Sequence, residues 1–113
     1  MGITIQKSHG VCVFKVTGPI TRETADVELR NRFRELIDAG STRFLLDLRE
    51  VPYMDSAAIG ETVACAKRAR EKNGLLKIVL RPGGKPGHLF QLTALDRVFE
   101  IFDDQEAGIA SFD

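Results

Sequence analysis

The stretch "FLLDLREVPYMDSAAIGETV", residues 44–63, decides the expected fold of this chain. It opens with a compact apolar run of strand length, which is typical of a parallel strand buried on both faces. Pro52 keeps the following segment from being helical. A helix is then predicted from about Ser56 to Lys72, where Asn73-Gly74 ends it.

The residues before this stretch predict a hairpin and a first helix. Apolar and polar side chains alternate in "ITIQKSHGVCVFKV" around a turn at Ser8-His9-Gly10, as in two strands joined by a tight turn. A helix is predicted roughly from Arg22 to Ala39, with Thr21 or Thr24 as its cap. Its apolar stripe has helical spacing and consists of Ala25, Leu29, Phe33, Leu36 and Ile37.

The residues after the stretch continue the alternation of strands and helices. "LLKIVL" is a second buried-type strand, "RPGGKPG" is a loop, and "HLFQLTAL" is a short helix whose inward residues are predicted to be Leu89, Phe90, Leu92 and Leu95. A final strand is predicted around Phe99–Phe102, before a short helix begun by Asp103 or Asp104. The order β-β-α-β-α-β-α-β-α predicts an α/β fold in a single domain over residues 1–113. It is a mixed, mostly parallel sheet of about five strands with packed helices.

The composition excludes several classes of protein. Lys+Arg and Asp+Glu number 16 each, so the chain lacks the basic excess of nucleic-acid binders and of polybasic membrane anchors. It shows no signal peptide and no long apolar run, so a cytoplasmic protein without membrane insertion is expected. Cys12 and Cys65 follow no metal or redox spacing and are expected to be buried free thiols.

Ser56 has no predicted catalytic partner. The two histidines, His9 and His88, lie in the hairpin turn and at the start of the third helix, and "MDSAA" is not a nucleophile elbow. "RPGGKPG" lacks the Ser or Thr that follows the lysine of a phosphate-binding loop. We therefore expect no catalytic residues and no cofactor, and a protein that is not an enzyme.

The acidic residues around the end of the middle strand, Asp47, Glu50 and Asp55, allow two interpretations. Their carboxylates could hold Mg²⁺. Alternatively, Asp55 caps the second helix while Asp47 and Glu50 face solvent or bind local backbone. The second interpretation is preferred, because aspartate at a helix start is a strong cap. No metal site is expected.

The second helix is predicted to bury one face and to leave small side chains on the other. The face toward the sheet, at about 100° per residue, is predicted to consist of Ile59, Val63, Ala66 and the stem of Arg70, flanked by Ala58, Thr62 and Ala69. The outer surface begins at Ser56 and continues over Ala57, Gly60 and Ala64. Small outward residues let another protein approach closely, although Gly60 is equally compatible with close packing inside the protein.

Phosphorylation of Ser56 would be compatible with this helix. It adds about −1.5 to −2 charge in the first turn, where amides and the helix dipole stabilise an anion. Together with Asp55, the phosphate would make the surface strongly negative. A partner fitted to a neutral surface of small residues would then be excluded.

Three segments resemble the STAS domain family, named for sulfate transporters and anti-sigma factor antagonists, and more narrowly its stand-alone bacterial anti-sigma factor antagonists. They are the stretch at 44–63, where family members usually read Asp-Ser-Ser/Thr/Ala-Gly-Leu/Ile-Gly, together with "VFKVTGPITRETA" and "LFQLTALDRVFEIFDDQEAGIASF". The resemblance covers essentially the whole chain. The chain departs from the family pattern at Ala58, which replaces a glycine, and at Thr21, which replaces an acidic residue.

The resemblance implies a phospho-switchable binding module. Ser56 matches the serine that a partner phosphorylates, and that partner is an anti-sigma factor and serine kinase with a histidine-kinase-like ATPase fold. The unphosphorylated protein would sequester this partner and release a sigma factor, and a serine phosphatase would reset the switch. The expected partner-binding residues are Asp55, Ser56, Ala57, Gly60, Glu61, Ala64 and Thr21.

Two other roles of a STAS domain are left open. The chain could be a subunit of a lipid ABC transporter or of a stress-signalling scaffold, in which Ser56 would be a docking residue without a phosphorylation cycle. Some STAS modules are reported to bind nucleotides, and "RPGGKPG" could lie near a weak nucleotide site of this kind.

Overall fold

Five strands form one mixed sheet in a computed structural model that describes residues 1–24 and 28–113. The strands lie side by side in chain order: β1 (Gly2–Ser8), β2 (Val11–Thr17), β3 (Arg43–Glu50), β4 (Leu75–Val79) and β5 (Ile101–Phe102). β1 pairs antiparallel with β2, and every later pair is parallel. The predicted mixed, mostly parallel sheet with an antiparallel edge strand is confirmed.

The helices alternate with the parallel strands. They are α1 (Arg22–Thr24), α2 (Arg30–Asp38), α3 (Ser56–Glu71), α4 (Lys85–Leu92) and α5 (Gln105–Ala110), with a short 3₁₀ helix at Leu95–Arg97. The helix predicted over residues 22–39 thus corresponds to α1 and α2. Ala25, predicted for its apolar stripe, lies outside the described residues.

The hairpin between β1 and β2 turns at His9 and Gly10. Both residues have positive φ, 52° and 78°, which is the backbone of a two-residue type I′ turn. Glycine adopts this conformation without the steric cost that a side chain imposes. The turn sets Ser8 opposite Val11, and this register brings Ile3 and Ile5 onto the main core.

The main core lies between one face of the sheet and helices α2, α3 and α4. At its centre the rings of Phe14, Phe33 and Phe44 pack together, with centroid distances of 5.9, 6.4 and 4.5 Å. The rings come from β2, α2 and β3, so they join the sheet to the helix layer. Tilted and edge contacts of this kind stabilise a core beyond the area that they bury.

The opposite face of the sheet is covered by α5 and carries two buried charges. Asp47 is 1% exposed; it accepts hydrogen bonds from the Arg49 side chain and from Nε2 of Gln105 in α5 (2.8 Å). Lys77 donates to the Ser111 carbonyl at 3.1 Å and lies 4.3 Å from the centroid of Phe112. These contacts fix the C-terminal segment on the sheet.

The expectation that Asp47 faces solvent is therefore wrong, although its bond to the Arg49 amide at 3.0 Å confirms the local backbone contact. Burial by itself raises the pKa of Asp47. The hydrogen bonds from Arg49 and Gln105 outweigh that effect and hold the pKa below its ordinary value. The carboxylate is thus kept charged in the interior because it is fully paired.

The segment after β4 differs from its prediction. The helix predicted over residues 88–95 begins earlier, at Lys85, so α4 includes part of the predicted loop. Pro86 fits in its first turn, because proline lacks only an amide that is unpaired at a helix start. The helix ends at Leu92, just before Ala94 at φ 59°. Leu92 is 71% exposed, so its predicted inward position is wrong, whereas Phe90 is fully buried as predicted.

Two glycine-to-alanine substitutions test this packing. At Gly108 in α5 an added Cβ would lie 2.8 Å from the δ carbons of the buried Leu45, whereas at Gly60 in α3 it would meet no atom of residues 1–24 and 28–113 within 4 Å. We expect Gly108→Ala to lower the free energy of unfolding by about 1–3 kcal/mol. The matched control Gly60→Ala is expected to raise it by up to about 1 kcal/mol. Urea unfolding measures both, and a stabilised Gly108→Ala would contradict the packing of α5.

Candidate functional site at the start of helix α3

The loops that follow β2 and β3 meet at one edge of the sheet. Parallel pairing brings the carboxyl ends of the two strands to the same side. The Ile20 amide donates to the Tyr53 carbonyl at 2.9 Å, and the Asp55 amide donates to the Ile20 carbonyl at 3.2 Å. Ile20 and Met54 are both buried beneath this bridge. The start of α1 is thereby placed against the start of α3.

Asp55 caps α3, as predicted, and also binds the first residue of α1. Its Oδ1 accepts from the Ala58 amide at 2.9 Å, and its Oδ2 accepts from the Arg22 amide at 2.9 Å. The hydrogen bond from the Ala58 amide has the largest effect on the pKa of Asp55, and together with those from Arg22 and Ala57 it outweighs the opposing effect of burial and lowers that pKa. The carboxylate is therefore ionised at neutral pH.

The two threonines predicted as caps of the first helix bind each other. Oγ1 of Thr24 accepts from the Thr21 amide at 2.9 Å, and the Thr24 amide donates to the Thr21 carbonyl at 3.0 Å. Oγ1 of Thr21 donates to Glu23 at 3.0 Å. Thr21 is half-buried. It lies beside the start of α3, because the amide of the next residue, Arg22, is hydrogen-bonded to Asp55.

Ser56 is the first residue of α3, and its side chain is exposed. Within residues 1–24 and 28–113 its hydroxyl has no hydrogen-bond partner. His9 is paired with the Ser8 hydroxyl in the hairpin turn, at the edge of the sheet opposite to Ser56. The described residues therefore supply no hydrogen-bonded base that would make Ser56 a nucleophile.

One face of α3 is exposed along its whole length. This exposed stripe consists of Ser56, Gly60, Val63, Lys67 and Arg70. The buried face consists of Ala58, Ile59, Glu61, Thr62, Cys65 and Ala69. Val63 is 39% exposed, so its predicted place on the buried face is wrong, while the inward position of Ala58 is confirmed. The buried arc is shifted because α2, as well as the sheet, covers α3.

Glu61 faces α2 and not solvent. It is 7% exposed and accepts from Nε and Nη2 of Arg30 at 3.2 Å each, with Arg68 at 4.0 Å. Ala57 and Ala64 lie half-buried on the same flank. The structure thus separates the predicted partner-binding residues: Asp55, Ser56 and Gly60 share the outer edge, whereas Glu61 points into the protein.

The thiol of Cys65 lies beside this ion pair and is unreactive. Burial, followed by the negative charge of Glu61 3.9 Å away, raises the pKa of Cys65 to about 12. Cys12 is buried as well, and both cysteines are free, as predicted. A thiol held in its protonated form neither binds metals nor attacks substrates at neutral pH.

Among the described residues, nothing requires Gly60 for the packing of α3. A Cβ at this position would meet none of their atoms within 4 Å. The alternative that Gly60 permits close packing inside the protein is therefore excluded for the described residues. Its effect is to leave open space on the exposed stripe, one turn after Ser56.

Two predictions concern the edge of the sheet near Glu50 and "RPGGKPG". One is that no metal site lies there, and the other is that a nucleotide could bind there. Among the described residues, no group of three or more His, Cys, Asp or Glu side chains is placed to hold a metal ion. Four residues of "RPGGKPG", Arg81, Gly84, Lys85 and Pro86, line an open cavity of about 400 Å³ together with Arg49. Nucleotide binding there stays a prediction.

The family of the chain follows from its sequence as a whole. The family model for the STAS domain matches residues 2–108. The chain belongs to the STAS domain family. None of the helices in the part of the chain that the structure describes is long and apolar enough to cross a membrane.

Relatives of this STAS domain match it over nearly their full length. BtrV of Bordetella bronchiseptica, provisionally named an anti-sigma factor antagonist, is 26% identical over 113 residues, which cover 99% of this chain and 95% of BtrV. A crystal structure from Thermotoga maritima, also described provisionally as an anti-sigma factor antagonist, is 21% identical, with a TM-score of 0.88. The match covers 96% of this chain and 92% of the Thermotoga chain. SpoIIAA of Bacillus in its phosphorylated form is 16% identical, with a TM-score of 0.72, and covers 94% and 96%. The two structures show the shared fold.

Replacing Asp55 tests whether its carboxylate holds this STAS domain's site together. We expect Asp55→Ala to lower the free energy of unfolding by about 1–2 kcal/mol at pH 7. Because the folded pKa of Asp55 is lowered, its contribution is complete above the unfolded pKa of about 3.9 and is lost as pH falls through the folded value. Urea unfolding between pH 7 and pH 2 should show the difference from wild type shrinking in acid.

Asp55→Asn is the matched control for this test. It retains one acceptor oxygen but not the charge, so an intermediate loss of stability is expected at pH 7, and the difference in stability between Asp55→Asn and Asp55→Ala should not change with pH. A difference between wild type and Asp55→Ala that stays constant down to pH 2 would contradict the role of the carboxylate.

Proposed function

We propose that this STAS domain is an anti-sigma factor antagonist switched by phosphorylation of Ser56. The observation that carries the proposal is the exposed hydroxyl of Ser56, which has no hydrogen-bond partner among the described residues and lies at the start of a 16-residue helix, next to the ionised Asp55. The name of BtrV and the solved phosphorylated form of SpoIIAA support it. In this proposal the unphosphorylated protein binds an anti-sigma factor in the cytoplasm, and the sigma factor is released.

The partner is proposed to be a serine kinase with a histidine-kinase-like ATPase fold. It transfers the γ-phosphoryl group of ATP to Oγ of Ser56; the bond between the β- and γ-phosphates breaks, ADP leaves, and a base of the kinase takes the hydroxyl proton. A serine phosphatase returns the hydroxyl by hydrolysis and releases inorganic phosphate. The exposure of Ser56 allows both enzymes to reach it without unfolding α3.

Phosphorylation is proposed to act on the contact surface and not on the fold. It adds about −1.5 to −2 charge beside the carboxylate of Asp55, at a helix end whose dipole tolerates an anion. A partner that fits the exposed stripe of α3 then meets bulk and uncompensated charge. Burying such charges without cations costs several kcal/mol, which is enough to release a partner.

Charge at position 56 is the direct test. Against the cognate anti-sigma factor, we expect Ser56→Ala to bind within about twofold of wild type and Ser56→Asp to bind at least about tenfold more weakly. Calorimetric titration measures the affinities. Peptide mapping after incubation with the kinase and ATP should place a single phosphoryl group on Ser56.

Ser8→Asp is the matched control, because Ser8 is the last residue of β1, next to the hairpin turn at the opposite edge of the sheet. It should bind as wild type does, and all three variants should melt as wild type does. Equal binding by Ser56→Ala and Ser56→Asp, or phosphorylation elsewhere, would contradict the switch. Those results would favour a STAS subunit that docks without a phosphorylation cycle.

The open space at Gly60 leads to a second prediction, which concerns the binding of the anti-sigma factor. Gly60→Ala adds a methyl group that the fold accommodates, but a partner backbone lying against the stripe would be displaced. We expect at least about tenfold weaker binding of the anti-sigma factor despite a more stable fold. Unchanged affinity would show that the partner does not approach α3 at this point.

A further inference from the structure

A groove lies between the C-terminal half of α3, the start of β4 and the segment after the 3₁₀ helix. This α3 groove has a volume of about 290 Å³. Its walls include Val63, Leu75 and Val98, its rim includes Lys67 and Arg70, and the buried Phe99 lies at its base. It lies apart from the edge of the sheet that carries Asp55 and Thr21.

The exposed apolar side chains of the protein concentrate in this groove. Five large hydrophobic residues are exposed in the described parts of the chain, and three of them line the α3 groove: Val63 at 39%, Leu75 at 47% and Val98 at 56%. Apolar area in water is unfavourable by roughly 25 cal/mol per Å². Clustered rather than scattered exposure of this kind marks an interaction surface.

The charge at the rim of the groove is positive. Lys67 and Arg70 are exposed and make no ion pair within residues 1–24 and 28–113. An occupant that fills the groove with apolar side chains and flanks them with carboxylates would satisfy both features. Side chains three and four residues apart on one helix provide such an arrangement, and a helix laid in a groove is a common mode of recognition.

The groove is continuous with the exposed stripe of α3. Val63, Lys67 and Arg70 belong to both, and Val63 lies about 10 Å along the helix axis from Ser56. We infer that the α3 groove is a docking site for an acidic amphipathic helix of the protein that recognises Ser56. The identity of that protein rests on the proposed function, whereas the chemistry of the groove does not.

A designed peptide tests the groove without the natural partner. The probe is a labelled helical peptide with leucines at i, i+3, i+4 and i+7 and glutamates at the other positions; a second peptide carries lysines in place of the glutamates. Fluorescence anisotropy measures affinity, and amide chemical shifts locate the contact. We expect saturable binding of the glutamate peptide, shifts confined to the groove, and at least about tenfold weaker binding of the lysine peptide.

Two pairs of variants separate groove binding from general adhesion. Val98→Ser should weaken binding at least about tenfold, whereas Leu92→Ser, which changes a still more exposed leucine outside the groove, should not. Lys67→Glu combined with Arg70→Glu should abolish binding, whereas Lys7→Glu on β1 should not. All these positions are exposed, so the fold should persist, and circular dichroism verifies it.

Three outcomes would overturn the proposal. The first is that the glutamate peptide shows no saturable binding, and the second is that Leu92→Ser and Val98→Ser lose peptide affinity equally. The third is concentration-dependent self-association that Val98→Ser removes, which would make the groove a contact between two copies of this chain. Ser56→Asp should bind the peptide as wild type does. Failure of the phosphorylation switch would therefore leave this result unchanged, and the two proposals fail separately.

Discussion

The carboxylate of Asp55 joins the two loops on which the candidate site is built. One oxygen accepts the Ala58 amide, and the other accepts the amide of Arg22, 33 residues earlier in the chain. Parallel pairing of β2 and β3 brings both loops to one edge of the sheet but does not fix their separation. The backbone bridge between Ile20 and Met54 and the Asp55 carboxylate fix it together. The carboxylate satisfies two amides that helix starts otherwise leave without a partner. The position of Ser56 follows, since it is the next residue.

This arrangement determines what a phosphate on Ser56 would act on. The amides of Ala58 and Arg22 are already engaged by Asp55, whose lowered pKa keeps it ionised at neutral pH. A phosphate on the neighbouring hydroxyl therefore meets a charge of its own sign at the helix start. Repulsion directs it away from Asp55 and toward solvent, where a partner would lie. In the proposed switch, the cap that holds the site together would also make the modification a signal to the partner and not to the fold.

Features set by neighbouring residues can be predicted from the sequence, and features set by distant contacts cannot. The Asp55 cap and the end of α3 near Asn73 follow from residues a few positions apart, and both are correct. Helical periodicity places Val63 on the buried face because it takes the sheet as the sole neighbour of α3. Arg30, 31 residues before Glu61, turns the buried arc toward α2. Neither the burial of Glu61 nor the α3 groove can be derived before that contact is known.

The exposed stripe is the part of α3 that the fold leaves free, so its composition bears on function. Gly60 costs the helix up to about 1 kcal/mol relative to alanine, although a Cβ there would meet no described atom within 4 Å. Val63 leaves apolar surface in water on the same face. Both costs are offset if a partner covers that face. A partner held at both ends of α3 would lose only one contact when Ser56 is phosphorylated. The contact that remains is weaker than the two contacts together, so phosphorylation would release the partner while the groove itself stays unchanged.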